Sequence, residues 1–245
     1  MNGQKVLVTA GGSGIGRAIA VAFANRGANV ATVDVNPCAL RELEVLHPAI
    51  YTQVCDVSVR AEILTVIPAC IHALGGLDVL INNAGISGPT SPVETYDPDE
   101  WDKVMQVNLT GTFNVTRLAI PSLKQSPSGS IINMSSVAGR FGYPDRSAYS
   151  TSKWGLIGFT KTLSRELGEF GIRANAILPG AVSGERFENV LRGRAQLSGK
   201  SVEQERKQAM SIQSLQWLVE PADIAELAVF LASDREVHLR ATAAD

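Results

Sequence analysis

The feature that most constrains this chain is a regular alternation of short apolar runs with longer amphipathic ones. The short runs are KVLVTA (5–10), NVATVDV (29–35), IYTQVCDV (50–57), LDVLINNAG (77–85), GSIINMSS (129–136) and IRANAILPG (172–180). KVLVTA ends in glycines and reads as a buried strand, and the other five read as further strands. Helical apolar spacing fills 14–27, 39–47, 59–74, 97–123, 148–170 and 221–233. Asp97 and Pro98 suit the start of the 97–123 helix, and Gly27 suits a helix stop. Strands alternating with helices join in parallel, because each return path is a covering helix. The expected fold class is α/β, a doubly wound parallel sheet with helices on both faces. No linker, repeat or low-complexity segment divides the 245 residues, so one domain over 1–245 is expected.

Composition excludes several function classes. The 24 acidic and 22 basic residues leave a net charge of −2, which draws the chain neither to nucleic acid nor to a membrane surface. No apolar run approaches the ~18 residues that span a bilayer. The start, MNGQKVLVTA, has no secretory pattern. Cys38, Cys55 and Cys70 follow no metal-ligand spacing. No metal is expected, and the three read as buried reduced thiols in a cytoplasmic protein.

In sheets of this kind ligands bind beyond the carboxyl ends of the strands. VTAGGSGIG leaves the first strand there and opens the first helix. Gly11, Gly14 and Gly16 permit a tight turn and close approach to a pyrophosphate, with Ser13 and Ile15 between them. The helix start then offers free N–H groups and partial positive charge. Asp34 closes the second strand, where its carboxylate can accept both hydroxyls of an adenosine ribose. A 2′-phosphate about 4 Å from that carboxylate is repelled by about 1–4 kcal/mol. No arginine or lysine lies at 33–37 to offset this, so NAD is expected in preference to NADP.

Together these residues carry a family pattern. The glycine loop at 9–16, Asp56-Val57, NNAG at 82–85, Asn108 in VNLTG, Ser136 in NMSSVAG, Tyr149-x-x-x-Lys153 and Pro179-Gly180 occur in this order. The chain resembles the short-chain dehydrogenase/reductase family across about residues 4–233. The resemblance implies an NAD(P)-dependent oxidoreductase on a Rossmann-like sheet of six to seven strands. By the same resemblance Asp56 bonds the adenine amino group, with Val57 beside the ring. Asn83, Ala84 and Gly85 line the adenosine ribose, and Pro179, Gly180 and Val182 lie near the nicotinamide. Ser136 touches the reacting oxygen, Tyr149 is the acid/base, Lys153 holds the nicotinamide ribose and tunes the tyrosine, and Asn108 anchors a relay water. The family also pairs its two long helices across a two-fold axis, which implies a homo-oligomer, dimer or tetramer. Leu156, Phe159, Leu163 and Leu167 are candidates for the stripe so buried, although part of it must face the sheet.

The chain departs from the pattern twice. Ala10 stands where the loop usually has its leading glycine, which is tolerable if its φ is negative. The end, SDREVHLRATAAD, lacks the usual glycine turn, so 235–245 is expected to be an atypical tail rather than a well-packed seventh strand.

The chemistry of Tyr149 and Lys153 follows from helical geometry. Positions i and i+4 are about 40° apart in azimuth and about 6 Å apart along the axis. An adjacent ammonium favours phenolate, and moving a phenol from about 10 towards 7 requires about 4 kcal/mol. The phenolate can then take a proton from an alcohol as hydride leaves its carbon, with Ser136 donating to the same oxygen. The expected substrate is a secondary alcohol or its ketone, bounded by 86–96, 137–147 and 183–215, with Phe141 and Tyr143 as candidate pocket residues. Two alternatives stay open. Segment 183–215 is either a lid whose arginines meet an acidic substrate or a solvated helix pair, since Glu185, Glu188, Glu203 and Glu205 interleave with the cations. The fold could also serve a non-catalytic dinucleotide-binding or regulatory protein.

Overall fold

The computed structural model describes residues 1–211 and 213–233. Six strands, β1 (Lys5–Thr9), β2 (Asn29–Asp34), β3 (Tyr51–Val54), β4 (Val79–Asn82), β5 (Ser130–Met134) and β6 (Arg173–Ile177), form one sheet. Their order is β3-β2-β1-β4-β5-β6, and every neighbouring pair is parallel. The strands are shorter than the apolar runs because residues at their carboxyl ends, such as Asn83–Gly85 and Ser135–Ser136, leave the ladder to form loops. The chain winds outward from β1 to β3, then returns to build β4 to β6. The reversal opens a crevice between the ends of β1 and β4, the position where such sheets bind ligands.

Alternation along each strand divides the core. Leu7, Val33, Leu80 and Ile131 pack with α3 (Arg60–Leu74), α5 (Thr112–Leu123) and α6 (Ser147–Leu167). Val6, Val8, Val30, Ile81 and Ile132 pack on the other face with α1 (Gly14–Ala24), α2 (Pro37–Leu46) and α9 (Pro221–Ala232). Period-two side-chain direction is the cause: adjacent residues of one strand must enter opposite layers.

Several expectations are corrected. The single helix over 97–123 is three pieces, α4 (Pro98–Met105), a π-helical turn at Gln106–Gly111 and α5. Gly111 explains part of the break, since a Cβ there would meet the Val57 carbonyl oxygen at 2.5 Å. Asp97 does cap α4, accepting from the Asp99 N–H at 2.9 Å. Helix α1 runs to Ala24 and Gly27, at φ +80°, closes it as expected, with the N–H groups of Gly27 and Ala28 donating to the carbonyls of Ala24 (2.9 Å) and Phe23 (3.2 Å). Cys38 is exposed, whereas Cys55 and Cys70 are buried. Leu156, Leu163 and Leu167 are also buried, the latter two in the core against the sheet, so they are not a free stripe. Phe113 (47% exposed) and Trp154 (51% exposed) are the outward apolar residues of these helices. Segment 183–215 contains α7 (Glu185–Ser198) and α8 (Val202–Ser211). The expected tail at 235–245 lies outside the described residues.

Ala10 has φ +52°, not the negative value that its methyl favours. The Asn83 side chain holds the peptide there, donating to the carbonyls of Thr9 (3.1 Å) and Ala10 (3.0 Å). Left-handed backbone costs a residue with a Cβ about 1–2 kcal/mol. Glycine removes that cost but loses about 0.4–1 kcal/mol through the unfolded state. Ala10→Gly should therefore be neutral or stabilising by up to about 1 kcal/mol in denaturant unfolding. A loss above about 1 kcal/mol would show that the position is not strained.

Candidate active site

The glycine loop crosses the carboxyl end of β1. Gly16 lies so close to the loop that a Cβ would fall 2.1 Å from the Ala10 carbonyl oxygen and 2.5 Å from Asn83 Nδ2. Gly14 has φ +52° and open space where its Cβ would stand. Ser13 caps α1 in extended conformation, yet its side chain makes no capping bond and no acid occupies the first turn. The amide groups and positive end of α1 therefore face open space, a cradle suited to a pyrophosphate. Gly11, exposed Ser13 and half-buried Ile15 complete the loop.

Asp34 is fixed at the end of β2. Its Oδ2 accepts from the Gly12 N–H and its Oδ1 from the Asn36 N–H, both at 2.9 Å. It is 8% exposed and has no cationic partner among the described residues. Each oxygen retains accepting capacity for a ribose hydroxyl. These features fit a dinucleotide. Asp56 Oδ1 accepts from the Ser58 N–H at 2.8 Å, and Val57 is buried beside it.

At β4, Thr9 Oγ1 accepts from the N–H groups of Asn83 and Ala84, both at 3.0 Å. This bond joins the two strands that flank the crevice. Gly85 follows, with Asn108 Oδ1 and Lys153 Nζ 3.2 and 3.3 Å from where its Cβ would be. Asn108 is held by its side chain, and its oxygens keep accepting capacity. Its Oδ1 accepts from the Ile86 N–H (2.7 Å), while Nδ2 donates to the Ile86 carbonyl (2.9 Å) and Ser152 Oγ (3.0 Å). Its carbonyl accepts from Thr112 Oγ1 at 2.9 Å.

Helix α6 carries Tyr149 and Lys153 one turn apart, with Lys153 Nζ 5.6 Å from the Tyr149 ring centroid. Lys153 is 2% exposed and donates to the Met134 carbonyl at 2.8 Å. Burial depresses its pKa to about 7, and the charge of Arg186 pushes the same way. A nearby anion would restore the ammonium. Ser136 follows β5, its Oγ accepting from the Ala138 N–H (3.2 Å) and donating to the Pro179 carbonyl (3.4 Å). Pro179, Gly180 and Val182 thus approach the same end of the sheet, and Val182 pairs with Val219.

A model of the short chain dehydrogenase family matches residues 4–195. The chain belongs to the short-chain dehydrogenase/reductase family. D-beta-hydroxybutyrate dehydrogenase of Cupriavidus necator is 36% identical over 245 residues, covering 98% of this chain and 95% of that protein. Among solved structures, NAD+-bound xylitol dehydrogenase superposes with TM-score 0.93 at 29% identity, covering 98% of this chain and 95% of that one. An actinorhodin polyketide ketoreductase variant with NADPH superposes with TM-score 0.91 at 30% identity, covering 97% and 93%. The sequence pattern gathers at the carboxyl ends of the strands. The cavity of about 530 Å³ lined by Cys38, Arg41, Glu42, Val45 and Leu46 is at α2 and shares no residue with this short-chain dehydrogenase cluster.

Two sets of residues escaped the sequence reading. Asn82 Nδ2 donates to Asn133 Oδ1 (2.8 Å) and Thr116 Oγ1 (2.9 Å), and Asn133 Nδ2 donates to Thr160 Oγ1 (2.8 Å). This buried polar ladder crosses β4 and β5 behind the site. Its signal was an asparagine inside each of two otherwise apolar strands. The second is Arg146, which lies against Tyr149 and whose signal was an arginine three residues before it. Phe141 is 66% exposed.

Proposed function

We propose that this protein is an NAD-dependent oxidoreductase that interconverts a secondary alcohol and its ketone, with Tyr149 as acid/base. The observation that carries the reading is the juxtaposition of Tyr149 with buried Lys153, whose Nζ reaches the Met134 carbonyl at the end of β5 and lies beside Gly85 after β4. A bound nicotinamide supplies the hydride acceptor or donor. Tyr149 takes the alcohol proton in oxidation and returns it in reduction. Ser136 donates to the reacting oxygen, an interaction that strengthens as charge develops there. Lys153 holds a ribose hydroxyl and, once charged, favours the phenolate. Asn108 fixes Ile86 and Ser152 around them and anchors a relay water. Asp34 holds the adenosine ribose, Asp56 and Val57 take the adenine, Asn83–Gly85 border the ribose, and Pro179, Gly180 and Val182 meet the nicotinamide. Segment 183–215 covers the substrate.

The test is a panel of secondary alcohols and ketones assayed with both dinucleotides. Binding of NADH without any turnover would favour a regulatory dinucleotide-binding protein instead. The setting is cytoplasmic, in keeping with three free thiols, and recovery of the native protein from a secreted fraction would overturn that.

The protein is further expected to be a homo-oligomer, dimer or tetramer. Phe113 packs edge-on to Phe159 at 6.3 Å between centroids, and it extends with Trp154 an apolar surface on α5 and α6. Light scattering that gave the monomer mass at micromolar concentration would contradict this.

A further inference from the structure

Three arginines converge on the Tyr149 side of the crevice, and no acid pairs with any of them among the described residues. Arg146 is 2% exposed. Its guanidinium carbon lies 5.4 Å from the Tyr149 ring centroid and 5.9 Å from that of Tyr143. Nη2 donates to the Ser87 carbonyl at 2.8 Å and Nη1 to Thr90 Oγ1 at 3.4 Å, while Nε is buried without a partner. Arg194 of α7 lies over the same Tyr143 ring at 5.0 Å. Arg186, at the start of α7, donates to the Gly85 carbonyl at 2.6 Å.

The segment's other two arginines are engaged within it, and Arg192 donates to Asn189 Oδ1 at 2.5 Å. Arg206 pairs with Glu188 at 2.5 Å and with Glu203 at 3.6 Å. Arg206 is thus neutralised by acids, whereas Arg146 and Arg194, which lie over the tyrosines, have no acid partner among the described residues. A buried cation ordinarily has a counter-charge, because desolvation costs it too much otherwise. Burial lowers the Arg146 pKa, with Arg194 adding to the effect and the nearby tyrosines opposing it. An anion between these groups would relieve both the desolvation and the mutual repulsion.

We propose that the substrate carries a carboxylate, which binds Arg194 over Tyr143 in the field of the buried Arg146. Arg146 lies against both the Tyr143 and Tyr149 rings, so the acid group is a few bonds from the carbon that reacts at Tyr149. The substrate class is then a short hydroxy acid and its oxo acid. Arg194 makes the contact, and Arg146 acts as a positioning residue that holds the 87–90 loop. The inference rests on the reading of Tyr149 as acid/base.

The experiment has a binding arm and a turnover arm. Arg146→Met endangers the fold, so Arg194→Gln is the variant. In the first arm the NADH-bound protein is titrated calorimetrically with butyrate and, separately, with inorganic phosphate. Butyrate should bind the wild type and bind Arg194→Gln about tenfold more weakly or worse. In the second, short 2- and 3-hydroxy acids are compared with their methyl esters. The acid should exceed its ester in kcat/KM by about tenfold or more, and that ratio should collapse in Arg194→Gln and partly return in Arg194→Lys. Esters used as well as acids, butyrate binding that Arg194→Gln leaves intact, or binding of phosphate alone would each overturn the proposal. Butyrate binding that depends on Arg194, without turnover of any alcohol, would sustain the acid pocket and sink the oxidoreductase reading.

Discussion

Tyr149→Phe should lower kcat by about 10²–10⁴ while dinucleotide affinity stays within about threefold, since one acid/base group typically contributes that much. The substitution removes the hydroxyl and keeps the ring. The ring is what Arg146 and Lys153 face, at 5.4 and 5.6 Å from its centroid, so the cationic surroundings persist. Lys153 keeps its bond to the Met134 carbonyl, and Asn108 and Ser152 are untouched. A stopped rate with intact binding separates loss of chemistry from loss of fold. Retention of more than about a tenth of the wild-type kcat would remove Tyr149 from the acid/base role.

The wild type should use NAD over NADP by about one to three powers of ten in kcat/KM, and Asp34→Ala should narrow that gap by about tenfold or more. The carboxylate is held in place by two backbone donors, Gly12 and Asn36, and has no cation beside it. An added 2′-phosphate therefore meets a fixed negative charge that cannot swing away. Alanine also strands the buried Gly12 N–H, at a stability cost of about 1–3 kcal/mol. Asp34→Asn, which retains an acceptor, separates the two effects: it should narrow the cofactor gap with less loss of stability. Equal wild-type efficiency with both dinucleotides would sink the assignment.

Much of this molecule is legible in local pattern. Alternating apolar runs specify six strands because burial on both faces requires continuous apolar sequence, and helical spacing specifies the layers that cover them. The glycine loop, Asp34, Ser136 and the Tyr149–Lys153 pair are legible because their chemistry depends on short-range spacing. The Tyr149–Lys153 proximity is set by one turn of helix and needs no tertiary contact to be foreseen.

What escaped depends on partners distant in sequence. The break in 97–123 arises where Gly111 meets Val57 and Asn108 bonds Ile86, contacts that no pattern within the helix announces. The positive φ of Ala10 is imposed by Asn83, more than seventy residues away. Leu163 and Leu167 of α6 have the spacing of an interface stripe, yet they belong to the core against the sheet, since spacing defines a face but not what lies against it. Arg146 reads as an ordinary charge until the fold buries it beside Tyr149 and Tyr143, where no acid pairs with it among the described residues. The sequence by itself determined the six strands, most of the helices and the Tyr149–Lys153 spacing, because those follow from backbone periodicity. Only the tertiary structure decided which charges are left unpaired, because pairing is a property of distance in space.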